Sequence, residues 1–288
     1  MIVLLGSSGY VGGEFIRQLE NRSIPYACLR RIDCDLYQPA LLARKLEALG
    51  ADFLINCAGY TGKPNVDACE LHRSECLSAN AVMPGKIADA CELAGIPWGH
   101  VSSGCIFTGS KPDGSGFVET DAPNFSFRTN NCSFYSGTKA LGEEILSDRP
   151  DCYIWRLRIP FDHRDSPRNY LSKVMNYKRL LSATNSLSHL EEFVNACLEC
   201  WLRRVPTGIY NVVNTGSVTT ERVTELLKHH LVPNRSFDFF TDEDEFMRLA
   251  AKTPRSNCVL DNYKLRDTGI PMSNVEDVIV EALKKWSC

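Results

Sequence analysis

A serine, a tyrosine and a lysine in this chain have the types and spacing needed for proton transfer at a carbonyl group. Tyr135 precedes Lys139 by four residues, so a helix would place both side chains on one face. There the ammonium can lower the pKa of the phenol, because a nearby opposite charge favours the ionised form. Ser103 ends an apolar stretch and could donate a hydrogen bond to a carbonyl oxygen. These residues together predict hydride chemistry at a carbonyl, with Ser103, Tyr135 and Lys139 as catalytic groups.

Each of the three residues also has a plainer interpretation. A serine after a strand is often a helix cap or a turn residue. A tyrosine and a lysine one turn apart can be an ordinary exposed helix pair. We favour catalysis because the three residues follow a glycine-rich loop, in the chain order that such chemistry would need.

The glycine-rich loop indicates a bound dinucleotide. Gly6, Gly9 and Gly12 lie between a short apolar run and an amphipathic segment, in the spacing GxxGxxG. Small residues there let backbone amides at a helix N-terminus approach a pyrophosphate. Glycines also mark plain turns, so the position between strand and helix is what favours a cofactor. The residues that we assign to the cofactor here are Gly6, Ser8, Gly9, Tyr10 and Val11.

The end of the second predicted strand bears on the choice of nicotinamide cofactor. An acidic residue there binds a free ribose, whereas an arginine accommodates a 2′-phosphate. The chain has Arg30 and Arg31 at this point, with Asp33 shortly after. We therefore predict NADPH as the cofactor, bound in part by Arg30 and Arg31, and keep NADH as the alternative. One or both arginines could instead merely cover the surface.

The elements that would position these residues alternate along the first half of the chain. Apolar runs predict strands at 1–5, 25–29, 52–56, 97–102 and 152–157. Periodic segments predict helices at 10–20, 37–49 and 134–146, and one or two helices at 65–93, with Pro84 marking a start. The alternation predicts an α/β fold with a Rossmann-like, doubly wound parallel sheet.

The second half of the chain is less regular. Helices are predicted at 169–177, 190–205, 220–231 and 275–286, and a strand at 208–213 is expected to return to the sheet edge. We therefore predict an NAD(P)-binding Rossmann domain at 1–160, to which 186–215 returns. A small C-terminal substrate-binding lobe is predicted at 161–185 and 216–288.

Composition excludes several classes of function. A net charge of −3 provides no basic surface for nucleic acid, and no apolar run approaches the ~18 residues of a membrane span. Thirteen scattered cysteines, an odd count, indicate reduced thiols rather than a disulfide framework. Met1 leads directly into the first predicted strand, so we expect no signal peptide and a cytoplasmic protein. No cluster has metal-ligand spacing, so no metal is predicted.

Several stretches resemble a known family. Over its whole length the chain resembles the extended short-chain dehydrogenase/reductases and, within them, the dTDP-4-dehydrorhamnose reductases. The supporting stretches are 56–59, 65–70, Asn80 and 134–139. A closer resemblance is to the nucleotide-rhamnose synthase/epimerase-reductases. It rests on 59–67, 104–107, 123–125, 156–160, 167–169, 208–211 and 254–257, several of which are irregular loops that packing alone would not require.

The resemblance implies a bifunctional enzyme acting on a UDP- or dTDP-linked 4-keto-6-deoxyglucose. Such an enzyme inverts C3 and C5 and then reduces C4, giving the L-rhamnose nucleotide. The resemblance places Cys105 and Lys173 at the positions of the epimerising acid/base pair. It implies an upstream 4,6-dehydratase in the pathway and leaves a homodimer open. Further cofactor positions, besides Tyr135 and Lys139, are Cys57, Ala58, Gly59, Asn80 and Pro160.

The substrate's pyrophosphate and base need donors from the second lobe. Arginine offers a planar fork that suits phosphate. Our candidates are Arg168, Asn169, Arg255 and Ser256. Tyr60 and Thr61, after the third strand, are expected to face the nicotinamide ribose or the sugar, and Arg158 is expected to support the fold near the cofactor.

The residues suit this chemistry because charge develops on one oxygen throughout. Loss of a proton from C3 or C5, and addition of hydride at C4, all place negative charge on O4, where Ser103 and Tyr135 could stabilise it. Cys105 follows Ser103 by two residues, so continued strand periodicity would put both side chains on one face. Without the resemblance, Cys105 would be interpreted as an ordinary core residue.

The chain departs from the family pattern in three places. Ser103 stands where many relatives have threonine, which keeps the hydroxyl. The pair Arg30–Arg31 replaces the usual Gly-Arg, and the segment 126–131 is longer than expected. Two other functions remain open. One is a 4-keto sugar reductase with an inert Cys105. The other is a non-catalytic, NADP-binding regulatory subunit, against which the intact Tyr135 and Lys139 argue.

Overall fold

A parallel sheet of six strands forms the centre of the computed structural model, which describes residues 1–287. The strands are β1 (Ile2–Leu5), β2 (Tyr26–Leu29), β3 (Phe53–Asn56), β4 (Trp98–Ser103), β5 (Cys152–Leu157) and an edge strand, Gly208–Asn211. Their order is edge strand, β5, β4, β3, β1, β2. All four residues of β1 and of β3 are buried, as expected of strands covered by helices on both faces.

The strand order reverses at β1. The chain runs from β1 outward to β2 and then crosses back to β3 on the other side of β1. Because ligands of doubly wound sheets bind where the order reverses, at the carboxyl ends of the strands, the loops after β1 and β3 should border the cofactor crevice. The predicted Rossmann-like sheet is confirmed, including the return of 208–211 to its edge beside β5.

Helices cover both faces of the sheet. They are α1 (Tyr10–Asn21), α2 (Pro39–Ala48), α3 (Ala68–Leu71), α4 (Arg73–Leu77), α5 (Met83–Ala94), α6 (Phe134–Leu146), α7 (Tyr170–Asn176), α8 (Leu190–Leu202), α9 (Thr220–His230), α10 (Glu243–Leu249), α11 (Tyr263–Asp267) and α12 (Val275–Lys284). α1 and α8 pack on one face, and α2, α5 and α6 on the other. None of the helices within residues 1–287 is long and apolar enough to cross a membrane.

The segment 65–93 was predicted as one or two helices, with a start at Pro84, and a helix does begin there, at Met83. The structure divides the segment into α3, α4, a π-helical turn at Ser78–Val82, and α5. Asn80 lies in that turn, fully buried, and its side-chain amide bonds to the backbone of Tyr60. Wide helical turns of this kind often occur at functional sites.

The rest of the chain forms a third core beyond the end of the sheet. Short strand pairs join Pro160–Phe161 to Ser188–His189, Arg179–Leu180 to Asp238–Phe239, and Thr184–Asn185 to Val218–Thr219. The core contains Phe161, Leu171, Val223, Leu227 and Ile279, among others. Most of its residues come from the predicted substrate-binding lobe, whose boundaries stay a prediction.

Candidate active site

The glycine loop after β1 is folded tightly against the loop after β3. Gly6 has a φ of +76°, and a Cβ there would lie 2.5 Å from the backbone nitrogen of Ala58. A Cβ on Gly12 would overlap the carbonyl oxygen of Gly6. α1 begins at Tyr10, directly after this loop, and the first amides of a helix have no partner within it. The loop therefore forms a cradle of the kind that holds a dinucleotide pyrophosphate.

Tyr10 contributes to this cradle through its backbone. Its hydroxyl is buried, and burial together with the charge of Asp162 raises the pKa of the phenol. Ser8 and Gly9 are exposed at the mouth of the loop, and Val11 is half-buried. These predicted cofactor positions thus all lie at the N-terminal end of α1, namely Ser8, Gly9, Tyr10 and Val11.

Two buried asparagines shape the loop after β3. Asn56 accepts a hydrogen bond from the backbone nitrogen of Ala58 at 2.9 Å, and its amide contacts His100 Nδ1 at 3.1 Å. Asn80 accepts from the backbone nitrogen of Tyr60 and donates to its carbonyl oxygen, both at 2.9 Å. Asn80, a predicted cofactor position, supports this loop directly. The sequence analysis assigned no role to Asn56 or His100, although both are polar residues in otherwise apolar strands.

Ser103 lies at the junction of the proposed catalytic groups. It is the last residue of β4, and its hydroxyl oxygen accepts a hydrogen bond from the backbone nitrogen of Cys105 at 3.3 Å. The same hydroxyl lies close enough to the Tyr135 phenol and the Cys105 thiol to lower the pKa of both groups. The serine therefore caps a turn, and its catalytic role stays a prediction.

Tyr135 and Lys139 lie one turn apart near the start of α6. Ser133 caps this helix by accepting a hydrogen bond from the backbone nitrogen of Ser136 at 3.2 Å. Lys139 is buried, and its Nζ lies 3.5 Å from the carbonyl oxygen of Val101. A Cβ on Gly59 would lie 3.5 Å from the same Nζ. The ammonium therefore lies between β4 and the loop after β3, at the edge of the crevice.

The expected effect of Lys139 on Tyr135 is outweighed by burial. Burial, followed by the neighbouring Cys105, raises the pKa of Tyr135 well above its usual range, although the nearby Ser103 hydroxyl opposes this. Burial also lowers the pKa of Lys139. A low-dielectric setting disfavours both charged forms, so the phenol is held as a proton donor rather than as a phenolate.

Cys105 lies in a different local structure from the one expected. β4 ends at Ser103, and Gly104–Ile106 form a turn of 3₁₀ helix, so strand periodicity does not continue. The turn nevertheless brings the thiol to the hydroxyls of Ser103 and Ser136. Burial raises the pKa of Cys105, whereas the hydroxyls of Ser103 and Ser136 and the charges of Arg158 and Lys139 lower it.

Lys173 lies half-buried on α7. Burial, and then the charge of Arg168, lower the pKa of its ammonium. Arg168 donates to Thr61 Oγ1 and to the carbonyl oxygen of Gly62, each at 3.3 Å, so two predicted substrate-binding residues meet across the cleft. Among residues 1–287, no hydrogen bond or ion pair joins Lys173 to Cys105.

Asn169 is fully buried and supports the segment that carries Arg168. Its amide nitrogen donates to the carbonyl oxygens of Asp162 and Arg164, both at 2.8 Å. Its Oδ1 accepts from the backbone nitrogen of Leu171 at 3.0 Å and so caps α7. Its predicted contact with substrate stays a prediction.

Arg255 and Ser256 also bond to other parts of the protein. Arg255 forms an ion pair with Asp67, in which two nitrogens contact the two carboxylate oxygens at 2.7 and 2.8 Å. The Ser256 hydroxyl donates to the carbonyl oxygen of Phe107 at 2.6 Å. Both residues therefore fasten their loop to the Rossmann half of the chain.

The two arginines after β2 differ in their partners. Arg30 Nε lies 3.1 Å from Asp33 Oδ2 in an exposed ion pair. Arg31 is exposed and makes no hydrogen bond or ion pair with any part of the chain that the structure describes. Pro160, the last predicted cofactor position, lies after β5 and pairs with Ser188.

A buried ion pair connects the elements that carry the proposed catalytic residues. Glu143, one turn beyond Lys139 on α6, accepts hydrogen bonds from Arg156 Nη2 at 2.8 Å and from Ser102 Oγ at 2.6 Å. The pair joins α6 to β4 and β5 behind the catalytic groups. The sequence analysis missed Glu143, because nothing in its local pattern reveals a partner thirteen residues later.

The cysteines that the structure describes form no disulfide bond with one another. The twelve cysteines within residues 1–287 are all free. Over the same residues, no group of three or more His, Cys, Asp or Glu side chains could hold a metal ion.

The chain matches the RmlD substrate binding domain family over residues 1–288. A bifunctional dTDP-4-dehydrorhamnose 3,5-epimerase/dTDP-4-dehydrorhamnose reductase of Arabidopsis thaliana is 31% identical over 284 residues, covering 97% of this chain and 91% of the relative. A trifunctional UDP-glucose 4,6-dehydratase/UDP-4-keto-6-deoxy-D-glucose 3,5-epimerase/UDP-4-keto-L-rhamnose-reductase of the same plant is 31% identical over 284 residues, covering 97% of this chain. The chain spans only 41% of that longer protein.

Solved structures share the fold. The UDP-rhamnose synthase of Acanthamoeba polyphaga mimivirus superposes with a TM-score of 0.90 at 24% identity, over 99% of this chain and 98% of that one. A dTDP-4-dehydrorhamnose reductase of Bacillus anthracis in complex with NADP superposes with a TM-score of 0.78 at 18% identity, over 99% and 97% of the two chains. The chain belongs to the RmlD substrate binding domain family and is an oxidoreductase of the extended short-chain dehydrogenase/reductase type.

Proposed function

We propose that the chain is a bifunctional 3,5-epimerase/4-reductase that converts a UDP- or dTDP-linked 4-keto-6-deoxyglucose to the L-rhamnose nucleotide. The observation that carries the proposal is the position of Ser103, whose hydroxyl caps the turn of Cys105 and lies close enough to the Tyr135 phenol and the Cys105 thiol to lower the pKa of both. One oxyanion donor thus lies beside two proton carriers. The plant relative with 31% identity over nearly the whole chain is named for the same two activities.

Epimerisation begins with loss of a proton next to the C4 ketone. The Cys105 thiolate removes the proton from C3 or C5, and the electron pair of that C–H bond becomes the enolate, with its charge on O4. Ser103 and Tyr135 donate hydrogen bonds to O4 and so stabilise this charge. Lys173, whose pKa is lowered by burial, returns a proton to the opposite face of the same carbon.

Reduction uses the same oxyanion site. The cradle formed by Gly6 and Gly12 fits a dinucleotide, and we propose NADPH, with Arg31 at the 2′-phosphate. When bound, the dihydronicotinamide supplies the hydride for C4. Tyr135 donates its proton to O4, and Lys139, one turn along α6, stabilises the phenolate that remains.

The substrate comes from an upstream reaction. The keto sugar must be made by a 4,6-dehydratase, an activity that the trifunctional relative carries in its name and in a longer chain. We propose that a separate dehydratase supplies this chain.

The test is an NMR time course of UDP-4-keto-6-deoxyglucose with the enzyme in D₂O, with NADPH added later. We expect deuterium to enter C3 and C5 before NADPH is present, and the L-rhamnose nucleotide to form afterwards. In Cys105→Ala, exchange should be lost, while reduction of the already epimerised ketone continues. In Tyr135→Phe, reduction should be lost. Wild-type exchange that survives in Cys105→Ala would contradict the role of the cysteine.

A second candidate is a 4-keto sugar reductase without epimerase activity. Cys105 packs among apolar side chains that include Phe107, Phe117 and Leu260, which is also how an inert core cysteine would lie. In that case no deuterium would enter C3 or C5, and NADPH would be consumed only with the epimerised ketone or another keto sugar.

A further inference from the structure

Arg158 is a buried cation without a counter-charge. The residue is 4% exposed, and it follows β5 directly. Its neighbours in sequence, Arg156 and Arg164, form ion pairs with Glu143 and Asp162. Arg158 forms no ion pair with any residue in 1–287. A guanidinium removed from water in this way is costly unless an anion faces it.

Neutral acceptors satisfy only part of the Arg158 guanidinium. Its Nη2 donates to Asn185 Oδ1 and, at 2.6 Å, to the carbonyl oxygen of Ser256. Its Nε is buried and has no partner among the described residues. The sequence analysis expected Arg158 to support the fold near the cofactor, whereas these contacts place it at the junction with the loop that carries Ser256.

Arg158 packs against the turn that carries Cys105. A Cβ on Gly104 would lie 3.5 Å from Arg158 Cδ, so the arginine side chain runs along the residue immediately before the cysteine. The next residue, Ile159, has a φ of +39°, which is strained for a β-branched side chain and costs about 1–3 kcal/mol. Strain of this kind persists only where the surrounding contacts enforce it. Here it sets the direction of the backbone directly after Arg158.

Several titratable groups lie close enough to the Cys105 thiol for their charges to affect one another. Tyr135 and Lys139 approach it from α6, Cys69 from α3, and Cys132 from the segment before α6. Only Lys139 and Arg158 are cationic, and both lower the pKa of the thiol against the larger effect of burial. The Nζ of Lys139 lies 3.5 Å from the carbonyl oxygen of Val101. Arg158 has no competing anion.

We propose that Arg158 is a positioning residue for epimerisation, a buried cation packed against the turn of Cys105 that stabilises the thiolate while the cysteine exchanges protons with the sugar. The proposal rests on the proposed function of Cys105. It predicts that the charge of Arg158 governs proton transfer at C3 and C5 but not hydride transfer at C4, because Ser103, Tyr135 and Lys139 serve the latter.

The test compares Arg158→Met, which removes the charge at similar length, with Arg158→Lys, which keeps it. Arg149→Met removes a surface charge far from the cysteine and serves as the matched control. Two readouts are followed between pH 6 and pH 10. They are deuterium exchange at C3 and C5 of UDP-4-keto-6-deoxyglucose without NADPH, and alkylation of Cys105 by iodoacetamide, resolved by peptide mass spectrometry.

In Arg158→Met we expect the pH profiles of deuterium exchange and of Cys105 alkylation both to shift up by about one pH unit. Exchange near pH 7.5 should therefore be about tenfold slower than in wild type. Arg158→Lys and Arg149→Met should stay within about half a unit of wild type. NADPH-dependent reduction of the epimerised ketone should change less than about threefold in all three variants. Unchanged pH profiles in Arg158→Met, with exchange still abolished by Cys105→Ala, would overturn the role of Arg158 alone. Exchange that survives Cys105→Ala would instead overturn the proposed function.

A second comparison applies if Arg158→Met does not fold. Cys105→Asp places a carboxyl group where the thiol lies, and Cys105→Asn places a neutral amide there. If Arg158 stabilises an anion at this position, the aspartate variant should melt about 2–4 °C above the asparagine variant at pH 8. Repeating the comparison in Lys139→Met assigns the difference to Arg158. Equal melting temperatures in that background would overturn the proposal.

Discussion

Arg255 holds Asp67 in a bidentate ion pair, with nitrogen–oxygen distances of 2.7 and 2.8 Å. The pair fastens the loop around Arg255 to the segment that follows β3. Beside it, Glu70 Oε1 accepts hydrogen bonds from the Thr253 hydroxyl at 2.9 Å and from the backbone nitrogen of Phe134 at 2.7 Å. The loop is therefore connected to the first residue of α6, the helix that carries Tyr135 and Lys139.

Arg255 was predicted to bind the pyrophosphate of the substrate, and its partner Asp67 allows a direct test. Arg255→Met is expected to raise the KM for the nucleotide sugar about tenfold while kcat changes little, because a charge-assisted contact made equally in ground and transition states is lost. Asp67→Asn leaves the guanidinium in place without its carboxylate, so its KM should be no higher than that of wild type. Steady-state kinetics would decide. An equal rise in KM for both variants would assign the pair a structural role only.

The cradle of the cofactor loop can be tested with two adjacent glycines. A Cβ on Gly12 would overlap the carbonyl oxygen of Gly6, whereas a Cβ on Gly13 would meet nothing closer than Arg17 Nη1 at 3.9 Å. Gly12→Ala should therefore raise the Kd for NADPH by about tenfold or more, because the loop must open. Gly13→Ala should bind NADPH as wild type does and gain about 0.5–1 kcal/mol of helix stability. Fluorescence titration and thermal melting measure the two effects, and equal Kd values for both variants would contradict the cradle.

Substituting each of the two arginines after β2 tests how much each contributes to the preference for NADPH over NADH. Arg31 has no partner in residues 1–287, whereas Arg30 is paired with Asp33. Arg31→Ala should raise the KM for NADPH about tenfold and leave the KM for NADH nearly unchanged, since only NADPH carries the 2′-phosphate. Arg30→Ala should have a smaller effect on both. A larger effect from Arg30→Ala would mean that this arginine exchanges Asp33 for the phosphate.

The sheet and its helices could be predicted because local patterns determine them. β5 and α6 begin and end at the predicted residues, since apolar runs, flanking loops and the Ser133 cap all agree. The segment 65–93, predicted as one or two helices with a start at Pro84, contains a further division at Asn80, which bonds across the fold to Tyr60, a contact that no local pattern encodes.

The spacing of the catalytic residues could also be predicted from the local sequence, but their pKa shifts could not. The i, i+4 relation of Tyr135 and Lys139 follows from the helix alone, whereas their pKa shifts follow from burial by distant segments. For the same reason the turn that carries Cys105 and the pairing of Arg255 with Asp67 could not be anticipated. Both depend on contacts between residues far apart in the chain.

Substitutions of Glu143 test whether its buried ion pair holds α6 against β4 and β5. Its carboxylate joins Arg156 to Ser102, and Arg156 is 2% exposed, so loss of the charge leaves a buried guanidinium uncompensated. Glu143→Gln should lower the free energy of unfolding by about 3–5 kcal/mol. Ser102→Ala removes one hydrogen bond to a charged group and should cost about 1.5–3 kcal/mol.

A double variant separates the ion pair from general packing damage. Glu143→Gln combined with Arg156→Met removes both charges, so the loss in urea unfolding should be smaller than the sum of the two single losses. The kcat of reduction should fall in Glu143→Gln even under conditions where the protein is fully folded, since Ser102 adjoins Ser103 and Glu143 lies one turn from Lys139. Additive losses in stability would show that Glu143 and Arg156 act independently, and an unchanged kcat would show that the ion pair stabilises the fold without positioning the catalytic groups.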